Sequence, residues 1–129
     1  MARDEVSAKP LIEKLGWKPG LQAAALGFEN LDWADGAGFD TDLLPAVMYD
    51  LIVLRIDERA GLDDLARFRK RIVDRGAMWI AYPKGLKTIT EDHVRAAGNE
   101  ENWTDVKVCK FSESHTGLKF VRRLKPAAV

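Results

Sequence analysis

A strand–helix–strand pattern in the middle of the chain constrains the fold more than any other feature. Residues 50–56, DLIVLRI, form a continuous apolar, β-branched run, which is typical of a strand covered on both faces. Residues 60–75 predict an amphipathic helix, and after Gly76 residues 77–82 predict a second strand. The apolar stripe of that helix is Leu62, Leu65, Phe68 and Ile72. Two strands joined by a crossover helix run parallel, so the pattern predicts an α/β fold.

The segments before this unit predict a short helix and one more strand. Residues 7–15 favour a helix with Ser7 as its N-cap, and residues 21–28, LQAAALGF, favour a buried strand. Residues 29–49 are rich in Asp and Gly and support at most one helical turn, around residues 42–48. A connection this long and irregular often carries function.

The C-terminal third predicts a helix and a hairpin. Thr90 is placed to cap a helix that runs to about residue 98, with acidic residues in its first turn. Residues 105–112 and 117–124 then bracket the loop ESHTG, which indicates an antiparallel hairpin. The overall expectation is therefore an α/β domain with a mostly parallel sheet and a C-terminal antiparallel hairpin.

Composition limits the class of protein. A chain of 129 residues with 47% hydrophobic content fits one domain, 1–129, with an ordered core of about residues 7–124. The net charge is zero, which gives no overall attraction to polyanions. Residues 1–64 carry 6 basic and 13 acidic side chains and the rest carry 14 and 7, so the two halves attract each other on folding.

Location and metal chemistry are constrained by a few residues. The lone Cys109 cannot form an internal disulfide, and the charged N-terminus lacks the apolar core of a signal peptide, so we expect a cytoplasmic protein. No apolar run is long enough to predict a membrane span. His93 and His115 lack a second ligand at metal spacing, so no metal site is expected. We expect Cys109 to be a small buried apolar group and predict no catalytic residue.

The order of these elements resembles the Rossmann-like fold of class I methyltransferases. The segment IVDRGAMWIAYPK resembles the approach to the fifth strand of that fold, and the closing hairpin resembles its sixth and seventh strands. More closely, the chain resembles a bacterial domain-of-unknown-function family, family 3052, over most of residues 7–124. The matching motifs are LGWKPG, GAMWIAYPK, TEDHV, KVC and GLKFVRR. This resemblance implies a fold but no assigned activity.

The first third of the chain departs from the methyltransferase pattern. That fold uses a glycine-rich loop after its first strand to bring the backbone close to the cofactor. Here Gly27 is followed directly by Phe28 and Glu29, without a second small residue. Only 22 residues separate Gly27 from Asp50, too few for two βα units, so the second and third strands of the parent fold are expected to be missing. We therefore expect a truncated Rossmann-like sheet, no cofactor and no binding of S-adenosylmethionine. The alternative is that residues 30–33 form a short edge strand that replaces the missing ones, with Asp32 as the replacement carboxylate of the cofactor site.

A residual site is expected where the parallel strands end, because open α/β sheets bind ligands outside those carboxyl ends. Arg55 and Lys84 could donate to a small anionic ligand. The alternative is that the charged residues of this edge only pair with one another, which stabilises little at a surface. The candidate ligand-binding residues are Gly27, Glu29, Arg55, Asp57, Tyr82 and Lys84.

The sequence contains candidates for two further interfaces. Basic residues cluster on the hairpin with aromatic residues between them, which would suit nucleic acid, but alternation of this kind is typical of any half-exposed strand. They are Lys107, Lys110, Lys119, Arg122, Arg123 and Lys125, with Phe111 and Phe120. We expect no nucleic-acid partner and no membrane partner. A homodimer or another protein partner stays open, and Trp33 in the irregular stretch is a candidate for a binding face.

The sequence thus predicts a non-catalytic binding or interaction module derived from a methyltransferase-like fold. The alternative is an enzyme or sensor that takes a small anionic or nucleotide-like ligand at the carboxyl ends of the parallel strands.

Overall fold

The sheet has five strands, in the order β1-β2-β3-β5-β4. The structure, a computed structural model, describes residues 10–122. The strands are β1 Ala23–Leu26, β2 Tyr49–Arg55, β3 Ile72–Pro83, β4 Trp103–Lys110 and β5 His115–Arg122. The α-helices are α1 Leu11–Lys14, α2 Leu65–Arg69 and α3 Glu91–Glu100, and 3-10 turns cover Asp32–Ala34 and Arg59–Asp64.

The sheet is parallel in its N-terminal part and antiparallel in its C-terminal part. β1, β2 and β3 run parallel, with Ala25 beside Val53 and Val53 beside Trp79. β5 then pairs antiparallel with both β3 and β4. The predicted α/β class with a closing hairpin is confirmed. Within residues 10–122 no strand lies between β1 and β2 in the chain, which confirms the predicted loss of two strands from this part of the sheet.

Each face of the sheet buries its own apolar cluster. On one face, Ile52, Ile80 and Phe120 pack beneath the helical elements, together with Leu65 and Val94 from α2 and α3. On the other face, Val53 and Trp79 pack with Leu15 and with partly buried aromatic residues of the β1–β2 connection. These aromatic residues are Phe28, Trp33 and Phe39. The long connection therefore serves as the cover of a sheet face.

The predicted helix over residues 60–75 is wrong in extent. The α-helical part is only Leu65–Arg69, and β3 begins at Ile72 and not at residue 77. The register between β2 and β3 shifts between Tyr49–Ile72 and Leu51–Ala77, so residues 73–76 bulge out. Gly76 permits this bulge, because a Cβ atom there would lie 2.5 Å from Ile72 Cγ2 and 2.9 Å from the Asp50 carbonyl. Ile72 thus belongs to the strand and not to the helical stripe.

The outer edge of β1 is covered by a single residue. Asp40 donates its backbone N–H to Ala23 O and accepts from Ala25 N, both at 2.8 Å. The alternative edge strand at residues 30–33 is wrong, since Asp32 begins a 3-10 turn there. Residues 42–48 form bends and turns without a helix, which agrees with the prediction of at most one helical turn there.

The cap of α3 is confirmed. Thr90 Oγ1 accepts from the backbone N–H of His93, and His93 Nδ1 accepts from Thr90 N, which completes a capping box. The predicted cap Ser7 and the basic residues Arg123 and Lys125 lie outside the described residues.

Candidate functional site

The carboxyl ends of β1 and β2 meet the hairpin turn at one edge of the sheet. Glu29 follows β1, and Arg55 ends β2. The hairpin reaches the same edge because β5 runs antiparallel to β3, which puts His115 beside Pro83 at the end of β3. Side chains from three distant parts of the sequence therefore converge where an α/β sheet usually binds its ligand.

A cavity of about 150 Å³ opens at this edge, and we call it the aromatic cavity. The Phe28 and Phe111 rings are nearly parallel at a centroid distance of 5.6 Å, and Trp33 lies 5.0 and 5.1 Å from them. Separations of this size favour aromatic contact. The lining residues are Phe28, Glu29, Asn30, Trp33, Arg55, Phe111, Ser112, Ser114 and His115.

The indole of Trp33 carries an unpartnered polar atom. Trp33 Nε1 is buried, and within residues 10–122 no acceptor receives its hydrogen. A buried N–H without an acceptor costs about 1–3 kcal/mol, so such groups are rare in folded proteins. Trp79 shows the usual arrangement, since its Nε1 donates to the Leu15 carbonyl at 2.9 Å.

An ion pair lies at the polar side of the cavity. Arg55 Nε and Nη2 donate to both carboxylate oxygens of Asp57, at distances between 2.9 and 3.2 Å. The hydrogen bond from Arg55 lowers the pKa of the Asp57 carboxyl below its ordinary value, and a second hydrogen bond from His115 adds to this. Asp57 is therefore ionised at neutral pH. The expectation that charged residues of this edge pair with one another is confirmed for these two.

The hydrogen bonds continue from Asp57 into the hairpin turn. His115 Nε2 lies 2.8 Å from Asp57 Oδ1, and His115 Nδ1 lies 2.7 Å from Ser114 Oγ. The His115 residue is only 9% exposed, whereas Ser114 is exposed. Ser112 Oγ holds the turn by accepting from the backbone N–H groups of Ser114 and His115. Two consecutive hydrogen bonds therefore join Asp57, His115 and Ser114.

The six predicted site residues do not all reach the cavity. Glu29 and Arg55 line it, and Asp57 is bonded to Arg55. Lys84 is exposed at the same edge, where its backbone N–H donates to the Ser114 carbonyl. Gly27, with φ of +89°, serves the packing of β1 on β2, because a Cβ atom there would lie 2.7 Å from the Arg55 carbonyl.

The placement of Tyr82 at this site is wrong. Its side chain belongs to the cluster on the helical face of the sheet and is 5% exposed. Its hydroxyl faces Glu91 at 3.4 Å, and burial raises the pKa of Tyr82 to about 12. Consecutive side chains of a strand point to opposite faces, and this alternation turns Tyr82 away from the cavity.

Sequence reasoning missed most of the cavity wall. It offered Trp33 as a candidate but not Phe28, Phe111, Ser114 or His115. The aromatic residues spaced along the β1–β2 connection, such as Phe28 and Trp33, are the sequence feature that indicates the aromatic wall. The hairpin turn reaches the cavity only because of the strand order, which cannot be read from the sequence.

The two aromatic residues of the hairpin are buried. Phe120 is fully buried and Phe111 is 8% exposed, because both belong to the core clusters. Arg122 donates to Asp74 and Lys110 to Glu113, so two of the predicted basic residues are already paired.

Among the described residues no group of three or more His, Cys, Asp and Glu side chains could hold a metal ion. Cys109 is half-buried in the cluster that contains Trp79, and burial raises the pKa of its thiol. In the part of the chain that the structure covers, no helix has the length and apolar character of a membrane span.

Several solved structures that are similar in fold to this chain are methyltransferases. A ribosomal protein L11 methylase from Lactobacillus delbrueckii subsp. bulgaricus matches with a TM-score of 0.60 and 16% identity, over 88% of this chain and 76% of that one. A TehB-like S-adenosylmethionine-dependent methyltransferase from Corynebacterium glutamicum matches with a TM-score of 0.56 and 12% identity, over 88% and 85%. Magnesium protoporphyrin IX methyltransferase from Synechocystis, with bound S-adenosylmethionine, gives 0.57 and 11%, over 87% and 74%. The resemblance to a methyltransferase-like Rossmann fold is confirmed.

No protein-family model matches the chain, and no curated protein sequence matches it. The similarity to solved structures therefore defines the fold.

These matches contradict the expectation that S-adenosylmethionine does not bind. Structures of the same fold hold this cofactor, as the complex from Synechocystis does. Although no strand lies between β1 and β2 within residues 10–122, aromatic residues of the β1–β2 connection supply a cavity wall at this edge of the sheet.

Proposed function

We propose that this chain is a binding module for S-adenosylmethionine or a related adenosine ligand, and that it takes up the ligand without transferring the methyl group. The proposal rests on one observation, the aromatic cavity at the carboxyl ends of β1 and β2. Methyltransferases of this fold bind S-adenosylmethionine, which supplies a methyl group on a sulfonium when it is bound.

The cavity suits a single aromatic ring system. Cavities of roughly 150 Å³ in protein interiors take a benzene-sized guest. The partly buried Phe28 ring offers a face for stacking, which contributes about 1–3 kcal/mol per nucleobase. The exposed Glu29 carboxylate can accept hydrogen bonds from sugar hydroxyls.

The same size argues for binding without methyl transfer. Ordinary cofactor sites enclose roughly 300–1,000 Å³ and bury most of the ligand. A cavity of about 150 Å³ encloses the ring but not the sulfonium end of the ligand. Methyl transfer would then take place in contact with water, without the exclusion of solvent that enzymes use.

Isothermal titration calorimetry with S-adenosylmethionine, S-adenosylhomocysteine and adenosine tests the proposal. We expect saturable binding of all three, weakened about fivefold or more in Phe28→Leu because one stacking face is lost. Phe39→Leu is the matched control, since Phe39 contacts Trp33 but does not line the cavity. The absence of saturable heat, or equal losses in both variants, would refute adenosine binding.

Incubation with methyl-labelled S-adenosylmethionine tests the second part. We expect the labelled ligand to be recovered unchanged from the wild-type chain. Label appearing on the protein, or label lost from the ligand in proportion to the protein added, would show that the chain transfers the methyl group and would contradict uptake without transfer.

We also propose that the chain belongs to the bacterial domain-of-unknown-function family 3052 and acts in the cytoplasm. The motifs LGWKPG and GAMWIAYPK support the family, and a lone cysteine suits a reducing compartment. A homodimer or protein partner remains a proposal that light scattering on the full chain tests.

A further inference from the structure

The mouth of the aromatic cavity carries a serine in contact with a buried imidazole. Ser114 Oγ lies 2.7 Å from His115 Nδ1, and His115 Nε2 lies 2.8 Å from Asp57 Oδ1. Three side chains from two distant segments thus form one hydrogen-bonded line. Arrangements of serine, imidazole and carboxylate are recognised as nucleophile systems by such geometry and not by position in the sequence.

We infer that Ser114 is an activated nucleophile that accepts the acyl group of an ester with an apolar or aromatic group bound in the aromatic cavity. The inference goes beyond the proposed uptake of an adenosine ligand and does not depend on it. The reaction takes place at the polar rim of the cavity, where Ser112, Ser114 and His115 lie, while the aromatic wall holds the apolar group of the ester.

The proton positions follow from the charges. A carboxylate only accepts hydrogen bonds, so the contact with Asp57 places the imidazole hydrogen on Nε2. Nδ1 is then an acceptor and can take the proton of Ser114 Oγ. Asp57 keeps its negative charge because Arg55 donates to both of its oxygens, and this charge stabilises the imidazolium that forms.

The acyl transfer balances with these groups alone. Ser114 Oγ bonds to the ester carbonyl carbon while its proton moves to His115 Nδ1. The tetrahedral adduct collapses as the carbonyl carbon to alkoxy oxygen bond breaks, and the leaving alcohol takes the proton from Nδ1. Water repeats both steps on the acyl-serine and releases the carboxylic acid, with Ser114 restored.

The surroundings of Ser114 support each step. Ser114 is exposed and therefore accessible, whereas His115 is 9% exposed and largely shielded from water. Arg55 lines the same cavity, and the hydrogens on Nη1 are not used by Asp57. A guanidinium of this kind can donate to the oxygen that gains negative charge.

Intact mass spectrometry with an aryl fluorophosphonate tests the nucleophile on the full chain. We expect a single adduct on the wild type, localised to Ser114 by peptide mapping, and no adduct on Ser114→Ala. Thr116→Ala is the matched control, because it removes the hydroxyl on the other side of His115, and it should label like the wild type. No adduct on the wild type, or an equal adduct on Ser114→Ala, would overturn the inference.

Hydrolysis of a chromogenic aryl acetate tests the positioning role of His115 and Asp57. We expect the protein-dependent rate to fall by a factor of ~10² in Ser114→Ala and in His115→Gln, as loss of general-base assistance requires. Asp57→Asn should lower the same rate while its melting curve still shows a folded chain. A wild-type rate equal to that of Ser114→Ala would overturn the activity even if every variant folds.

Discussion

Trp79 and Trp33 differ in whether the indole N–H has a hydrogen-bond acceptor, so substituting each one shows what that hydrogen bond contributes to stability. Trp79 is fully buried and bonded to Leu15, whereas Trp33 is partly buried and its N–H is unpartnered among residues 10–122. We expect Trp79→Phe to cost about 2–4 kcal/mol of unfolding free energy, from a cavity and a lost buried bond. Trp33→Phe should cost less than half as much, because it also removes an unsatisfied donor. Urea denaturation of both variants measures this, and equal costs would contradict it.

Substitution of Gly27 by alanine tests how closely β1 approaches β2 at this position. In Gly27→Ala the new Cβ would meet the Arg55 carbonyl at 2.7 Å in a backbone with φ of +89°, so contact and strain add. We expect a loss of about 2–4 kcal/mol. Gly20→Ala is the control, since it has φ of +95° and open space and should lose only about 1–2 kcal/mol. Thermal unfolding ranks the two, and a loss in Gly20→Ala as large as that in Gly27→Ala would argue against the contact.

At the scale of elements, the close approach of helix α3 to the sheet depends on Gly98 having no side chain. A Cβ atom on Gly98 would lie 2.2 Å from Phe120 Cε1, and the Phe120 ring is fully buried. Alanine is the better helix former by about 1 kcal/mol, but overpacking costs about 1–3 kcal/mol. We therefore expect Gly98→Ala to destabilise the protein in chemical denaturation.

The exposed Glu100 of the same helix provides the comparison for Gly98. Glu100→Ala should change the unfolding free energy by less than about 0.5 kcal/mol. A Gly98→Ala variant as stable as the wild type would show that α3 can move off the sheet without loss.

Elements were predictable from the sequence where local and long-range signals agreed. β2 and α3 were found because a β-branched run and a Thr90 cap are local features that the packing leaves in place. The start of β3 was missed because Ile72 fits a helical stripe locally, while pairing with Tyr49 across the sheet makes it a strand residue. Tertiary pairing outweighs helical periodicity at that position.

At the scale of the whole molecule, strand order decides which residues share a site. Glu29 and Arg55 could be placed together from the sequence, because the ends of parallel strands meet at one edge. His115 could not, because its place at that edge follows from the pairing of β5 with β3 and not with β4 alone. The polar rim of the cavity therefore cannot be predicted from local sequence patterns.

The contact between Asp57 and His115 joins the end of β2 to the hairpin, and its contribution depends on pH. Arg55 and His115 lower the pKa of Asp57, so the stabilisation is present above the unfolded value of about 3.9 and is lost as the pH falls through the lower folded value. We expect Asp57→Asn to be less stable than the wild type at pH 7, with the difference vanishing in acid. Denaturation at pH 7, 5, 4 and 3 measures this. A difference that stays constant down to pH 3 would contradict the assigned cause.

The Asp40 bridge on β1 also determines how copies of this chain could associate through their backbones. The outward N–H and carbonyl groups in the middle of β1 are already occupied, whereas β4 forms the other margin of the sheet and carries the exposed Val106 and Val108. With one margin sealed, each molecule can recruit another on a single side only. Backbone pairing through β4 alone would close at a twofold pair and would not extend into a filament.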